Sequence, residues 1–142
     1  MKPMNNAQYR AFMSHETRTG KLATISPDGA PHVVPIWFIL DGDDPMFMTN
    51  ENTVKAKNIA HEPRVALSVD LEKTPYAFVL VQGRAEMLTP TPAELLDWST
   101  RIARRYMGES LAEAYGKRNA APGELLIRIH AEKIVARGGV AD

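Results

Sequence analysis

Apolar residues fall mostly into short alternating runs, and only a few stretches place them at three- and four-residue spacing. The first of those stretches puts Tyr9, Phe12 and Met13 on one helical face. Asn5 or Asn6 is placed to cap that helix, and Gly20 after Thr19 to end it. Lys21 to Ser26 then alternates as a strand, and Pro27-Asp28-Gly29 has turn chemistry. Pro31 to Leu40 forms a second strand rich in β-branched and aromatic residues, so the two predict a hairpin.

A second turn at Asp41-Gly42-Asp43-Asp44 leads into a strand at Met46 to Thr49. Asn52 or Thr53 caps a short helix running through Ala60, which Pro63 closes. Arg64 to Asp70 and Tyr76 to Leu88 alternate as strands. Gly83 inside the second marks a bulge or a close approach by another backbone. Thr91-Pro92-Ala93-Glu94 opens a helix with a cap, a first-turn proline and a capping-box carboxylate, and Leu95, Trp98, Ile102 and Tyr106 mark its face. Ser110 with Glu113 offers another capping box, Gly116 a stop, and Glu124 to Arg137 a closing strand. Five or six strands with short helices predict a mainly β protein, a small antiparallel barrel with helical decoration in one domain spanning residues 1–142.

Composition narrows the chemistry. The 142 residues carry 17 basic and 17 acidic side chains, so no global field draws the chain to nucleic acid or to a membrane surface. There is no cysteine, which removes disulfides, thiolate nucleophiles and thiolate metal sites together. The four histidines lack metal-ligand spacing, and His32 and His130 read as surface or interface residues. The N-terminus has no apolar signal core and no stretch spans a bilayer, so a cytoplasmic location is expected. Glycine-rich dinucleotide and nucleotide loops and the G-x-S-x-G elbow are all missing.

The informative stretch is Thr49 to Arg64, T-N-E-N-T-V-K-A-K-N-I-A-H-E-P-R. Lys55 and Lys57 sit in or near the first turn of a helix whose positive end and free N–H groups already favour an anion. Thr49, Asn50 and Thr53 add hydroxyl and amide groups suited to phosphate oxygens. A solvated polar turn before a surface helix accounts for the same residues. Beside them, Val34-Pro35-Ile36-Trp37 is an apolar strand in which Pro35 implies a sheet edge or a local break, and a broken ladder would leave backbone polar groups free for the edge of a flat heterocycle. Trp37 is placed to stack on such a ring, or equally to fill a core or an interface. Arg101, Arg104 and Arg105, next to Tyr106, read as the solvated face of an amphipathic helix, and Met46 and Met48 as core filling.

Two segments, T-G-K-L-A-T-I-S-P-D-G-A-P-H-V-V-P-I-W-F (Thr19 to Phe38) and M-T-N-E-N-T-V-K-A-K-N-I-A-H-E-P-R-V-A-L (Met48 to Leu67), resemble the FMN-binding split-barrel superfamily typified by pyridoxamine 5'-phosphate oxidase. More narrowly, they look like its branch that uses the deazaflavin coenzyme F420. The resemblance implies a six-stranded antiparallel split β-barrel, a homodimer, and a cofactor in each interface cleft. By position, Lys55 and Lys57 would hold the cofactor phosphate with Thr49, Asn50, Thr53 and Asn58 around them. The backbone of Val34, Pro35, Ile36 and Trp37 would line the ring. Coenzyme F420 is the first choice and FMN the second, with hydride exchanged with a small unsaturated substrate and no dedicated catalytic acid. A non-catalytic carrier of flavin, haem or tetrapyrrole is the alternative. Where pyridoxamine-phosphate oxidases proper end in R-L-x-P, this chain has Arg128-Ile129-His130-Ala131, and it ends its last strand in Arg137-Gly138-Gly139 rather than in an aromatic.

Overall fold

A computed structural model describes residues 1–142. The elements run β1 (Lys2–Pro3), α1 (Asn6–Met13), β2 (Gly20–Ile25), β3 (Pro31–Ile36), β4 (Ile39–Asp41), β5 (Asp44–Asn50), α2 (Val54–His61), β6 (Arg64–Leu71), β7 (Ala77–Met87), α3 (Pro92–Met107), α4 (Glu109–Asn119) and β8 (Glu124–Gly138). All pairings are antiparallel, in the order β3-β2-β6-β7-β8-β5-β4, with β1 added to β8. The sheet curls into a half-barrel. Six longer strands match the expected number, and the short β1 and β4 are extra.

Alternation fixes which side chains fill the curl. Leu22, Val65, Leu67, Val69, Val79, Val81, Ile127 and Ile129 point inward, while their sequence neighbours point out. Helix α1 is closed at its start by a reciprocal capping box between Asn5 and Gln8. It presents Tyr9 and Met13 to this core, and the Tyr9 hydroxyl donates to the Asp43 carbonyl at 2.8 Å. A second, smaller core lies on the other face of β5 and β8, where Met46 and Leu126 are buried, as are Ile102, Ala103 and Ala112 of the α3–α4 pair.

Gly83 is where the ladder slips. A β-carbon there would lie 1.9 Å from the His130 carbonyl oxygen, and the β7–β8 register shifts between Gln82 and Gly83. Both sequence readings of this glycine hold together, since bulge and close approach are one feature. Gly116 does not stop α4, which continues to Asn119. The glycine instead lets the helix backbone come against Thr100 of α3, with a β-carbon position 2.2 Å from the Thr100 hydroxyl oxygen. The Ser110–Glu113 capping box does not form, because α4 begins straight after Gly108 without a side-chain cap. No helix is long and apolar enough to cross a membrane.

Across the outer face of the sheet the register sets Val33 opposite Ala23, Ala23 opposite Ala66, and Leu80 between Ser68 and Val135. These neighbours make a mostly apolar surface on the outside of the curl, with Val33 63% exposed.

Candidate functional site

The run Pro31 to Leu40 does not form one strand. It breaks after Ile36 and resumes at Ile39, leaving Trp37 and Phe38 outside the ladder. Residues far along the chain hold the break. The Phe38 N–H donates to the Tyr106 hydroxyl oxygen (3.1 Å), and that hydroxyl donates to the Arg18 carbonyl (2.9 Å). The Arg105 guanidinium donates to the carbonyls of Phe38 (2.6 Å), Met13 (2.7 Å) and Glu16 (2.9 Å). Its partners are main-chain oxygens, so the end of α3 is bolted to α1, to the approach to β2, and to the β3–β4 break. Arg105 therefore does not lie on a solvated helix face, and burial lowers its pKa. Burial likewise raises the pKa of the Tyr106 phenol, which stays protonated as a donor.

This clamp also fixes Trp37. The Tyr106 ring lies parallel to its indole, with centroids 4.9 Å apart and planes 3° from parallel. One indole face is covered, and the residue remains 37% exposed.

Helix α2 starts as the sequence predicts, with Thr53 rather than Asn52 as the cap. The Ala56 N–H donates to the Thr53 hydroxyl (3.3 Å). That hydroxyl is also 2.8 Å from the hydroxyl of buried Thr49 and donates to the Asn50 carbonyl (2.9 Å). Asn50 accepts the Asn52 N–H at 3.0 Å. The polar residues Thr49, Asn50 and Thr53 thus build the turn and hold the helix end in place. The N–H groups of Val54 and Lys55 belong to the unpaired first turn of the helix.

Lys55 comes together with the β3 end in one cavity of about 270 Å³, between Pro35, Ile36, Trp37 and Met48 on one side and Ser99, Ile102, Asn119 and Glu124 on the other. The Lys55 ammonium is half-buried there. Burial lowers its pKa, and the nearby Glu124 carboxylate opposes that shift. Met48 lines this cavity rather than filling the core. The Ser99 hydroxyl is turned away to the Gly116 carbonyl (2.7 Å). Val34 points to the opposite side of β3 from Pro35, against the core.

The remaining expected residues are placed elsewhere. Lys57 is exposed, on another side of α2 from Lys55. Asn58 is buried, and its amide donates to the Thr24 hydroxyl at 3.0 Å, which ties α2 to β2. His130 lies beside Glu86 (2.7 Å) and does not line the cavity. His32 pairs across from Thr24 with an unpartnered, buried Nδ1. The sequence reading missed Glu124 as a cavity residue, and Arg105 and Tyr106 as its support. No local signal pointed to Glu124, because its place is set by the long-range register of β8 on β5, which puts it opposite Asn50 just before the helix cap.

A larger hollow, about 540 Å³, lies between α1 and the end of β8. Its one strong cation besides Lys2 is Arg18, whose guanidinium stacks over the Phe12 ring at 4.2 Å and donates to the Phe12 carbonyl at 2.8 Å. The first cavity therefore has the clearer chemistry: an ammonium without a close protein partner, an aromatic wall held from behind, and apolar sides.

A curled antiparallel half-barrel with short helices defines a split barrel, and comparison with known proteins gives the family. The pyridoxamine 5'-phosphate oxidase family model matches residues 6–137, and the chain belongs to that family. No curated protein matches it significantly. Among solved structures it is similar to the conserved hypothetical protein Rv2991 from Mycobacterium tuberculosis, at 25% identity and a TM-score of 0.82 over 96% of this chain and 86% of that one. It is also similar to an F420 reductase, at 27% identity and a TM-score of 0.70 over 87% and 94% of the two chains. A FAD-binding protein from Mesorhizobium loti shares the fold at 20% identity, with a TM-score of 0.68 over 95% of each chain.

Proposed function

We propose that the chain is an oxidoreductase that binds a flavin-type cofactor, coenzyme F420 in preference to FMN, in the cavity shared by Lys55 and Trp37. The observation that carries this reading is the half-buried, unpaired ammonium of Lys55 in the same cavity as the end of β3. An ammonium so placed suits an anion, and the α2 start beside it adds two free N–H groups and the positive end of a helix. Pro35, Ile36 and Trp37 offer a flat, largely apolar surface with main-chain polar groups at its edge, which suits a ring that is apolar in its body and polar at its rim. The F420 reductase similarity supports the choice of deazaflavin.

The bound ring supplies two-electron hydride chemistry that no side chain here performs. Lys55 holds the phosphate and fixes the cofactor's register along β3. Trp37, backed by Tyr106, packs against the ring or its substrate and keeps water out. Lys57, exposed on α2, contributes long-range charge. No acid is placed to deliver a proton, so solvent fills that role.

At about 270 Å³ the cavity is small for a tricyclic cofactor, as ligand sites usually run from ~300 to 1,000 Å³. A second copy of the chain, docked on the outer sheet face around Val33, supplies the missing wall, giving a homodimer with two clefts. Calorimetric titration with F420 and FMN, followed by turnover of enones, quinones and bilins with the reduced cofactor, tests the reading. Binding of F420 with turnover of at least one acceptor is expected. Binding without any turnover would leave a carrier, and much tighter FMN binding would reverse the cofactor preference.

A further inference from the structure

Glu124 is out of place in a seat for an anion. Its side chain lines the same cavity as Lys55, and it is the one charged group acting on that ammonium. The position is set by the backbone: Glu124 opens β8 opposite Asn50, and Asn50 accepts the N–H of Asn52 immediately before the Thr53 cap. No salt bridge joins Glu124 to Lys55, so the two charges face the cavity separately and their fixed sum is zero. A carboxylate at that position weakens any phosphate in proportion to the phosphate's charge.

We infer that Glu124 is a specificity-determining residue that selects a monoanionic phosphodiester over a dianionic phosphomonoester at the Lys55 seat. The inference rests on the reading that Lys55 holds the cofactor phosphate. The two cofactor classes differ in this respect. FMN ends in a phosphomonoester, which carries close to two charges at neutral pH, its second pKa being about 6. The deazaflavin carries its phosphate as a diester with one charge. With Lys55 alone the dianion would be favoured. With Glu124 opposite, the two side-chain charges cancel, and only the partial positive charge of the α2 start is left to meet the added charge of the monoester.

The test keeps the ring constant and changes only the phosphate. Dissociation constants are measured for riboflavin, FMN and the monomethyl ester of FMN, with the wild-type chain, Glu124→Gln and Lys55→Ala. Glu124 makes no side-chain hydrogen bond in the fold, so the isosteric amide preserves the cavity, and a thermal melt checks this. In the wild type the extra charge of FMN is expected to bring no gain in affinity over the methyl ester. In Glu124→Gln, FMN is expected to gain about tenfold, the ester less, and riboflavin nothing. Equal gains for FMN and its ester, or a wild type that prefers FMN, would overturn the inference while leaving the Lys55 seat intact. Binding that Lys55→Ala leaves unchanged, or no binding of any ring compound, would remove the seat and the inference together.

Discussion

Lys55 carries its charge where burial penalises it. In the unfolded chain the ammonium keeps its proton up to the ordinary lysine range, near pH ~10.4. In the fold it releases the proton at lower pH. Between those two values the unfolded chain binds more protons, so this group makes stability rise with pH. Over the same window the seat loses its cation, so anion affinity falls. The Kd for the cofactor should therefore begin to rise at lower pH than an ordinary lysine would give. Lys55→Arg, which cannot deprotonate, should hold its affinity flat through that range. Lys55→Met should raise the melting temperature of the cofactor-free chain, or leave it unchanged, while abolishing binding. A loss of stability in that variant would mean that the ammonium has a structural role. None of this is legible from a lysine in a helix-opening motif, because exposure there is decided by α3, α4 and β8.

At the scale of elements, local pattern was a good guide wherever the partner of a strand is its neighbour in sequence. Hairpin β2–β3, the Thr53-capped α2 and the Thr91-capped α3 all follow from residues within a few positions of one another. The β3–β4 break does not, because the groups that hold it come 67 and 68 residues later. Arg105 likewise reads as a polar-stripe residue, since nothing in its own helix reveals the four carbonyls it reaches. Arg105→Ala strips donors from those carbonyls and should cost about 3 kcal/mol, as hydrogen bonds to charged groups do. For a chain of this length, that is a fall in melting temperature of roughly 10 °C. Tyr106→Phe keeps the stack and loses only the hydroxyl, so it should cost about 1 kcal/mol and leave Trp37 fluorescence nearly unshifted. A large spectral change in Tyr106→Phe would show that the hydroxyl network, and not the stacking, sets the indole. Gly83→Ala drives a β-carbon into the His130 carbonyl and should unfold or rearrange the β7–β8 bulge, seen as loss of the cooperative melt.

For the whole molecule, the half-barrel has a mostly apolar outer sheet face, and the Lys55 cavity opens beside the end of β3. A native mass of twice the 15.7 kDa chain is expected. Val33→Asp puts a charge on the edge strand of that face and should return the mass to a single chain, weakening cofactor binding in parallel. A wild-type monomer that binds cofactor at full affinity would contradict the shared cleft. The resemblance in the sequence reached as far as the family and the position of α2. It did not reach the charge balance inside the cavity, because Glu124 arrives from the last strand, outside the segments that carry the family pattern.

In the proposed function, the half-buried Lys55 at the opening of α2 seats the phosphate of a flavin-type cofactor. Titrating the wild type, Lys55→Ala and Lys57→Ala with F420 under one set of conditions tests it most directly. Expected are one cofactor per chain for the wild type, a loss of at least tenfold in Lys55→Ala, and a smaller, salt-sensitive loss in Lys57→Ala. A folded Lys55→Ala variant that binds F420 as tightly as the wild type would contradict it.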